Sequence, residues 1–264
     1  MTKPKVIFFG NGPLATAVFG GLKDKIELIF WAKKKEDLGE VEKIVGSSEQ
    51  KIYAVLASYG VIIPERVLNL FEPEGIINIH PSYLPDLRGP SPIETAILRG
   101  DIEFGVSVMK LALKMDAGPI YYQTKYEFNK FVQKAEIYDT LGKIGGEWVG
   151  ENLLNLPEPI LQDEAEATYS KMLDTSMAKL KPEEQTAEEM FDQVRAFAGF
   201  PKTRYEFFGK DCIVLSAHVA NEVDKLSIRG KDGLYLVVDE VQPAGRKPMS
   251  AKSFINGYGC KEKA

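Results

Sequence analysis

Short apolar runs alternate with amphipathic stretches through the first 156 residues of the chain. The apolar runs predict strands at Val6–Phe9, Ile26–Trp31, Ile52–Leu56, Ile76–His80, Gly105–Leu111 and Ile120–Tyr126. The stretches between and after them predict helices at Pro13–Leu22, Glu36–Val45, Pro64–Leu70, Pro92–Arg99 and Lys134–Leu156. Because strand and helix alternate, we expect an α/β domain with a mainly parallel sheet and helices on both faces.

The pattern changes after the proline-rich break at Asn155–Pro159, from which we place a linker at residues 157–168. Beyond it, a helix is predicted at Ala187–Ala198, and Ser250 is placed to cap a last helix ending near Gly257. Four short strands are predicted between these helices, at Thr203–Phe208, Cys212–Ala217, Lys225–Arg229 and Leu234–Val241. The pattern therefore predicts a small β-barrel or sandwich for residues 169–264.

Composition excludes several classes of protein. Of 264 residues, 44% are hydrophobic and 27% charged, as in ordinary folded domains. No apolar run approaches the roughly 18 residues of a membrane span, and no signal peptide is recognisable. Cys212 and Cys260 form no C-x-x-C pair, which favours a reducing cytoplasm and indicates no metal site. The net charge of −5 gives no separate reason to expect nucleic acid.

The turn Gly10–Ala15 matches G-x-G-x-x-A between a predicted strand and a predicted helix, where a dinucleotide pyrophosphate could bind. An acidic residue would then normally end the second strand, but Lys33, Lys34 and Lys35 follow it here. Those lysines could instead hold a 2′-phosphate. We favour a tight strand-to-helix turn and keep an NADPH-dependent reductase as a minority alternative.

Two polar side chains end the strand Ile76–His80. Asn78 and His80 are two residues apart and therefore share one face, whereas Ile77 and Ile79 face the other way. In open α/β sheets, ligands bind at the carboxyl edge of the strands, where this pair lies. The alternative is that the pair only makes turn hydrogen bonds.

Two loops follow. Pro81–Pro92 contains four prolines, which fix its backbone and lower the entropy lost when a ligand binds. Asp116 lies in the turn Lys114–Pro119, where an isolated Asp is usually only a turn former. With Asn78 and His80 it suits acylation of an amine by a formamide donor. Asn and His can stabilise the oxyanion, and a carboxylate can hold the imidazole or relay protons.

These residues resemble the folate-dependent formyltransferases. The resemblance rests on Asn78-x-His80, Ser82-Tyr83-Leu84-Pro85, Arg88-Gly89-Pro90-Ser91-Pro92-Ile93, Gly105-Val106-Ser107-Val108-Met109 and Met115-Asp116-Ala117-Gly118. The run Ala57–Pro64 also resembles the segment that lines the pterin pocket in that family. Val194–Phe197 and Val241–Ala251, with Phe254 and Gly257, resemble the second domain of the branch that formylates methionyl-tRNA.

The resemblance implies a Rossmann-like catalytic domain at 1–156 and an OB-like tRNA-binding domain at 169–264. Asn78 and His80 would polarise the formyl carbonyl, while Asp116 would orient His80 and assist proton transfer. The donor would be 10-formyltetrahydrofolate, with its pterin end held by Tyr59, Gly60, Val61, Ile62, Ser82, Tyr83, Leu84 and Pro85. The acceptor would be methionine on initiator tRNA, and the enzyme a cytoplasmic monomer without a metal.

The stretch between Trp31 and Ile52 is shorter than in that family, as though a strand-helix unit and a basic loop that grips tRNA were missing. We predict tRNA contacts from basic residues in both domains, at Lys33, Lys34, Lys35, Arg88, Arg246 and Lys247. Two alternatives besides the reductase stay open. One is a formyltransferase acting on an amino-sugar nucleotide, and the other is a tRNA-binding protein without activity.

Overall fold

The computed structural model describes residues 3–259, and these fall into two compact units. The first unit contains the described residues up to Ile93 together with Ile102–Lys171. The second contains Glu94–Asp101 and the described residues from Met172 onwards. The chain therefore leaves the first unit twice, once for the short stretch around Leu98 and again after Lys171.

Six strands form the sheet of the first unit. They are β1 (Lys5–Gly10), β2 (Glu27–Ala32), β3 (Ile52–Ala57), β4 (Ile76–His80), β5 (Glu103–Lys110) and β6 (Ile120–Glu127), in the order β2-β1-β3-β4-β5-β6. The first four are parallel, and β5 and β6 are antiparallel to their neighbours. Residues 111–119 are too few for a crossover between parallel strands, so β6 can only turn back along β5. The expected Rossmann-like, mainly parallel sheet is confirmed.

Five helices accompany these strands along the chain. They are α1 (Gly12–Leu22), α2 (Leu38–Gly46), α3 (Glu65–Leu68), α4 (Pro92–Leu98) and α5 (Lys134–Asn152). The prediction extended α5 to Leu156, which is four residues too far. Its end is marked by Asn152, whose side-chain amide donates 2.8 Å to the carbonyl of Trp148, and Pro157 disfavours helical backbone at Leu156.

The sheet and helices of the first unit are joined by buried apolar residues. Helices α1 and α5 approach each other at glycine, since a Cβ on Gly146 would lie 2.1 Å from the carbonyl oxygen of Val18. Strand β1 is buried along most of its length, and Phe9 makes edge contacts with Tyr59 and Phe71. This packing fixes the parallel strands, so their carboxyl ends share one edge of the sheet.

The second unit is built on an antiparallel sheet with two further helices. Its elements are α6 (Ala187–Ala196), β7 (Arg204–Phe207), β8 (Lys210–Ala220), β9 (Ser227–Arg229), β10 (Tyr235–Pro243), β11 (Met249–Ser250) and α7 (Ala251–Tyr258). The strands run β11-β10-β8-β7, with β9 also paired to β10. Ser250 caps α7 as predicted, accepting from the backbone N–H of Ser253. The curled sheet matches the expected small OB-like β domain.

Residues 157–171, which we name the strap, run back along the first unit. The strap includes the predicted linker 157–168. Ile160 pairs with Ile120 through two backbone hydrogen bonds of 2.8 Å, and Arg88 pairs with Tyr169. A short 3-10 turn lies within the strap at Glu164–Glu166, and another comes after the strap at Thr175–Ala178. The strap is therefore fixed to the first unit at several points.

The sequence also bears on membrane spans, metal sites and cysteines. Among residues 3–259, no helix is long and apolar enough to cross a membrane. Within the same residues, no group of three or more His, Cys, Asp or Glu side chains is placed to hold a metal ion. Cys212 is a buried free thiol, and Cys260 lies outside the described residues.

Candidate active site

Asn78 and His80 lie on β4 in the middle of the sheet, with β3 on one side and β5 on the other. Both side chains are buried, with 4% and 5% of their surface exposed. Ile79 packs towards α5, because a Cβ on Gly145 would meet its side chain at 2.6 Å. The Asn78 amide has no hydrogen bond to any residue that the structure describes.

The ring of His80 has a partner on each side. Its Nε2 lies 3.0 Å from the carbonyl oxygen of Leu87, and its Nδ1 lies 3.7 Å from Oδ2 of Asp116. A carbonyl oxygen only accepts, so this contact requires the proton of a neutral ring to be on Nε2. Nδ1 then has a free lone pair facing the Asp116 carboxylate. The ring can take up a proton at Nδ1 and form a cation beside a negative charge.

Asp116 is itself held in an unusual conformation. Its φ is 49°, in the left-handed region, and Leu87 on the other side of His80 has φ 56°. Non-glycine residues in this region carry a cost of about 1 to 3 kcal/mol and persist only where surrounding contacts impose them. One such contact is a 2.8 Å hydrogen bond from the backbone N–H of Gly89 to Oδ2 of Asp116. The carboxylate is thus aimed at His80 by the proline-rich loop.

The predicted pterin loop Ser82–Pro85 is held in shape by its own contacts. The Ser82 hydroxyl donates 2.6 Å to the carbonyl of Asp86, and the Leu84 N–H donates 3.0 Å to Oγ of Ser107. Gln123 donates 2.6 Å to the Leu84 carbonyl. Ser82 and Leu84 are buried, Pro85 is half-buried, and the side chain of Tyr83 is 41% exposed. This loop offers one aromatic ring on a fixed backbone.

The other predicted pterin segment, Tyr59–Ile62, follows β3. Tyr59 is buried and its hydroxyl donates 2.6 Å to the carbonyl of Lys34. Burial, together with the nearby carboxylates of Asp37 and Glu36, raises the pKa of Tyr59 to about 12. Gly60 has φ 70° and is exposed, Val61 is half-buried, and Ile62 is 90% exposed. Strands β3 and β4 are parallel neighbours, so this segment and Ser82–Pro85 leave the same edge.

Most of the basic residues predicted to contact tRNA are exposed. Lys33, Lys34 and Lys35 follow β2, with Nζ of Lys33 4.8 Å from the centre of the Trp31 ring. The carboxylate of Asp37 accepts from the backbone N–H groups of Lys33 and Lys34, which fixes the turn. In the second unit, Arg246 and Lys247 lie in an exposed turn after β10.

Arg88 requires a correction, because its side chain is fully buried. The guanidinium donates 3.0 and 2.8 Å to Oε1 of Gln162 and pairs with Glu164 at 3.0 Å. Hydrogen bonds from Arg88 and Lys114 lower the pKa of Glu164 to about 2. The pKa of Arg88 is raised, although burial alone would lower it, because hydrogen bonds from its guanidinium to Glu164 and Tyr169 favour the charged form. With its donors occupied inside the protein, Arg88 is not placed to contact an RNA phosphate.

The sequence analysis missed several groups that shape this edge. They are the carbonyl of Leu87, the hydroxyl of Ser107, and the side chains of Gln123 and Gln162. Leu87 acts through its backbone, which a pattern of side chains does not reveal. Gln162 lies in the stretch interpreted as a linker, where a polar residue is ordinarily solvated.

Close packing around the turn at Gly10 requires a residue without a side chain. A Cβ there would lie 2.2 Å from the carbonyl oxygen of Ala57 and 2.8 Å from Cβ of Ala15. Asn11 caps α1 by accepting from Gly12, and the indole N–H of Trp31 donates 2.9 Å to the Gly10 carbonyl. The glycine is thus explained by close packing between β3 and α1, without a nucleotide.

Comparison with known proteins decides the family. A family described as "Formyl transferase" matches residues 23–153, and "Formyl transferase, C-terminal domain" matches residues 173–259. A methionyl-tRNA formyltransferase from Borrelia hermsii is 34% identical over 219 residues, which are 76% of this chain and 70% of that protein. The chain belongs to the formyltransferase family. It is an enzyme that catalyses formyl transfer.

Solved structures share the fold. The structure of a methionyl-tRNA formyltransferase from Clostridium thermocellum matches with a TM-score of 0.70 and 20% sequence identity. The match covers 91% of this chain and 98% of the Clostridium thermocellum chain. HypX from Aquifex aeolicus, solved in complex with tetrahydrofolic acid, has a TM-score of 0.75 and 16% identity over 98% of this chain. The formyltransferase spans about half of HypX, 48% of its length. The two likenesses agree with the fold described above.

Proposed function

We propose that this formyltransferase transfers the formyl group of 10-formyltetrahydrofolate to the α-amino group of methionyl-initiator tRNA. The acceptor is supported by the similarity to the Borrelia hermsii enzyme and by the match of the second unit to the C-terminal domain of the family. We further propose that the enzyme acts in the cytoplasm as a monomer and needs no metal ion.

The observation that carries the proposal is the buried pair Asn78 and His80 at the carboxyl edge of the sheet, with the half-buried Asp116 beside His80. Asn78 supplies an amide without an internal partner among the described residues, which suits a donor to an oxyanion. His80 supplies a lone pair at Nδ1, which suits a general base. Asp116 lies 3.7 Å from that nitrogen and stabilises the imidazolium that forms.

The proposed reaction balances without a covalent enzyme intermediate. The amine nitrogen bonds to the formyl carbon, and the carbonyl electron pair moves onto oxygen, where Asn78 donates a hydrogen bond. The amine gives one proton to Nδ1 of His80, and the cation formed there also stabilises the oxyanion. The oxyanion then returns its electron pair to re-form the carbonyl, the bond from carbon to N10 of the folate breaks, and N10 receives the proton that His80 holds on Nδ1. The products are a formamide and tetrahydrofolate.

The two loops after β3 and β4 are proposed to hold the pterin end of the folate. Tyr59–Ile62 contributes exposed backbone at Gly60 and an exposed Ile62 side chain, and Ser82–Pro85 contributes the exposed Tyr83 ring. Internal hydrogen bonds already fix Ser82 and Leu84, so little conformational entropy is lost on binding.

For the tRNA we propose contacts from the exposed basic residues of each unit. Lys33–Lys35 carry three positive charges on a turn fixed by Asp37, and Arg246 and Lys247 carry two more on the second unit. Contacts of lysine and arginine with phosphates supply affinity that does not depend on sequence and weakens with salt. Arg88 is left out of this surface because it is buried.

The test is transfer of labelled formyl from 10-formyltetrahydrofolate, with methionyl-initiator tRNA, free methionine and an amino-sugar nucleotide present as competing acceptors. We expect label on the tRNA alone. Label on the sugar nucleotide alone would overturn the acceptor while leaving formyl transfer and the three side chains in place. Label on none of them would overturn the proposed reaction as a whole.

A further inference from the structure

We infer that Gln162, on the strap, is a positioning residue that holds the Asp116 turn in its catalytic conformation, and that Arg88 fixes the orientation of Gln162. The inference rests on the proposed role of Asp116 in formyl transfer. It assigns a catalytic purpose to a segment that the sequence indicates only as a connection between domains.

The side-chain amide of Gln162 donates two hydrogen bonds to the Asp116 turn. Nε2 donates 2.8 Å to the carbonyl oxygen of Asp116 and 2.7 Å to that of Gly118. These two carbonyls lie on either side of Ala117, so one amide group fixes the direction of the chain on both sides of the turn. A left-handed residue such as Asp116 persists only where contacts of this kind impose it.

The other end of the amide is fixed by Arg88. Oε1 of Gln162 accepts from both Nε and Nη2 of Arg88, at 3.0 and 2.8 Å. A guanidinium has only donors, so the oxygen must face Arg88 and the nitrogen must face the turn. A reversed amide would put donor against donor on one side and acceptor against acceptor on the other. Glu164 completes the chain of contacts by pairing with Arg88 at 3.0 Å.

The position of the Asp116 carboxylate relative to His80 depends on the backbone of the Asp116 turn. Among residues 3–259, Oδ2 accepts one hydrogen bond, from Gly89, and it lies 3.7 Å from Nδ1 of His80. A turn released from Gln162 can relax out of the left-handed region and carry the carboxylate away from the ring. A displacement of about 1 Å at a catalytic group can reduce turnover roughly 100-fold.

Two substitutions separate the two ends of the amide. Gln162→Glu keeps an acceptor for Arg88 but loses both donors and places oxygen against the carbonyls of Asp116 and Gly118. Gln162→Met keeps the length of the side chain and loses every hydrogen bond. For both we expect kcat for formyl transfer to fall about 10- to 100-fold, with KM for folate changed less than about 3-fold. Gln133→Glu and Gln133→Met, at an exposed position whose side chain does not cap α5, are the matched controls.

The decisive measurement is a double-mutant cycle with Asp116→Asn. If Gln162 acts through Asp116, Gln162→Met has no further effect on the residual kcat of the Asp116→Asn enzyme. A fall of the same size in both backgrounds would show a general structural role and overturn the inference. Wild-type kcat in both Gln162 variants, beside a slow Asp116→Asn enzyme, would overturn it and leave the proposed function standing. Wild-type turnover of Asp116→Asn would instead remove Asp116 from the mechanism, and the inference with it.

Discussion

Charged and polar side chains serve two different purposes at two places in the first unit. At the carboxyl edge, His80, Asp116 and Arg88 are largely or fully buried, and each has a fixed partner. After β2, Lys33–Lys35 are exposed, and none of the three forms an ion pair with any residue in the described part of the chain. The first region holds its side chains in a fixed geometry, and the second exposes positive charge to solvent.

The difference predicts how each region responds to mutation. A buried group whose partners are fixed cannot be replaced without leaving those partners unsatisfied, so its loss has a large and local effect. An exposed lysine acts through a screened field and shares its effect with its neighbours. Substitutions at the edge should therefore change kcat or stability, while substitutions in the lysine turn should change the apparent affinity for a polyanion.

The largest expected effect is that of Asp116→Asn. Without a negative charge 3.7 Å from Nδ1, the imidazolium of His80 is no longer stabilised. We expect kcat to fall at least 100-fold, in the range for lost acid-base and electrostatic catalysis. Single-turnover formylation of methionyl-tRNA measures it, and near-ultraviolet circular dichroism checks that the fold is intact. Turnover within 3-fold of the wild type would contradict a catalytic role.

Replacement of Arg88 should act on stability rather than on RNA binding. Arg88→Met leaves Oε1 of the half-buried Gln162 without its donors, and an acceptor that is shielded from water and unsatisfied costs up to about 1 to 3 kcal/mol. We expect the free energy of unfolding in urea to fall by about 2 kcal/mol. The KM for tRNA should then have the same salt dependence as in the wild type. A lower salt dependence with unchanged stability would restore the original prediction of a tRNA contact.

The contrast between the regions also explains what the sequence could predict. Strand β4 was placed to the residue, because apolar runs between turn residues have a strong pattern. The shared face of Asn78 and His80 then follows from the period of a strand. Asp116 was grouped with Asn78 and His80 because the three side chains suit amine acylation, and the resemblance implied that Asp116 orients His80. Their proximity depends on the sheet order, since Asp116 and His80 are 36 positions apart in the chain.

Other features could not be predicted, because they depend on backbone atoms or on long-range packing. Nothing in the side chain of Leu87 indicates that its carbonyl orients His80. Arg88 was predicted to contact tRNA, whereas its side chain is buried and hydrogen-bonded to Gln162, which is 74 residues away in the chain. At Gly10 the sequence favoured a tight turn over a nucleotide site, and close packing against Ala57 accounts for the glycine, although the pattern of residues did not show that contact.

A smaller effect is expected at Lys34. Lys34→Glu reverses one charge on the exposed turn, so we expect KM for tRNA to rise roughly 3- to 10-fold at low salt and less as salt screens the field. KM for folate should not change. Initial rates at three salt concentrations measure it, and Lys23→Glu, an equal charge change at another exposed site, is the control. Equal effects on both substrates would remove this turn from the tRNA surface.

The smallest effect concerns Tyr59, which joins the two regions through its hydrogen bond to the Lys34 carbonyl. Tyr59→Phe should cost about 1 kcal/mol of unfolding free energy at neutral pH, the usual value of one hydrogen bond. The sign of its pH dependence is fixed, because the folded pKa of Tyr59 is about 12 and an unfolded tyrosine ionises near 10. The folded state therefore holds its proton longer, and the stabilisation is complete below pH 10 and lost as pH rises towards 12. Urea unfolding between pH 8 and pH 11.5 should show the wild type losing stability faster than Tyr59→Phe, whereas parallel curves would mean that Tyr59 ionises equally readily in both states.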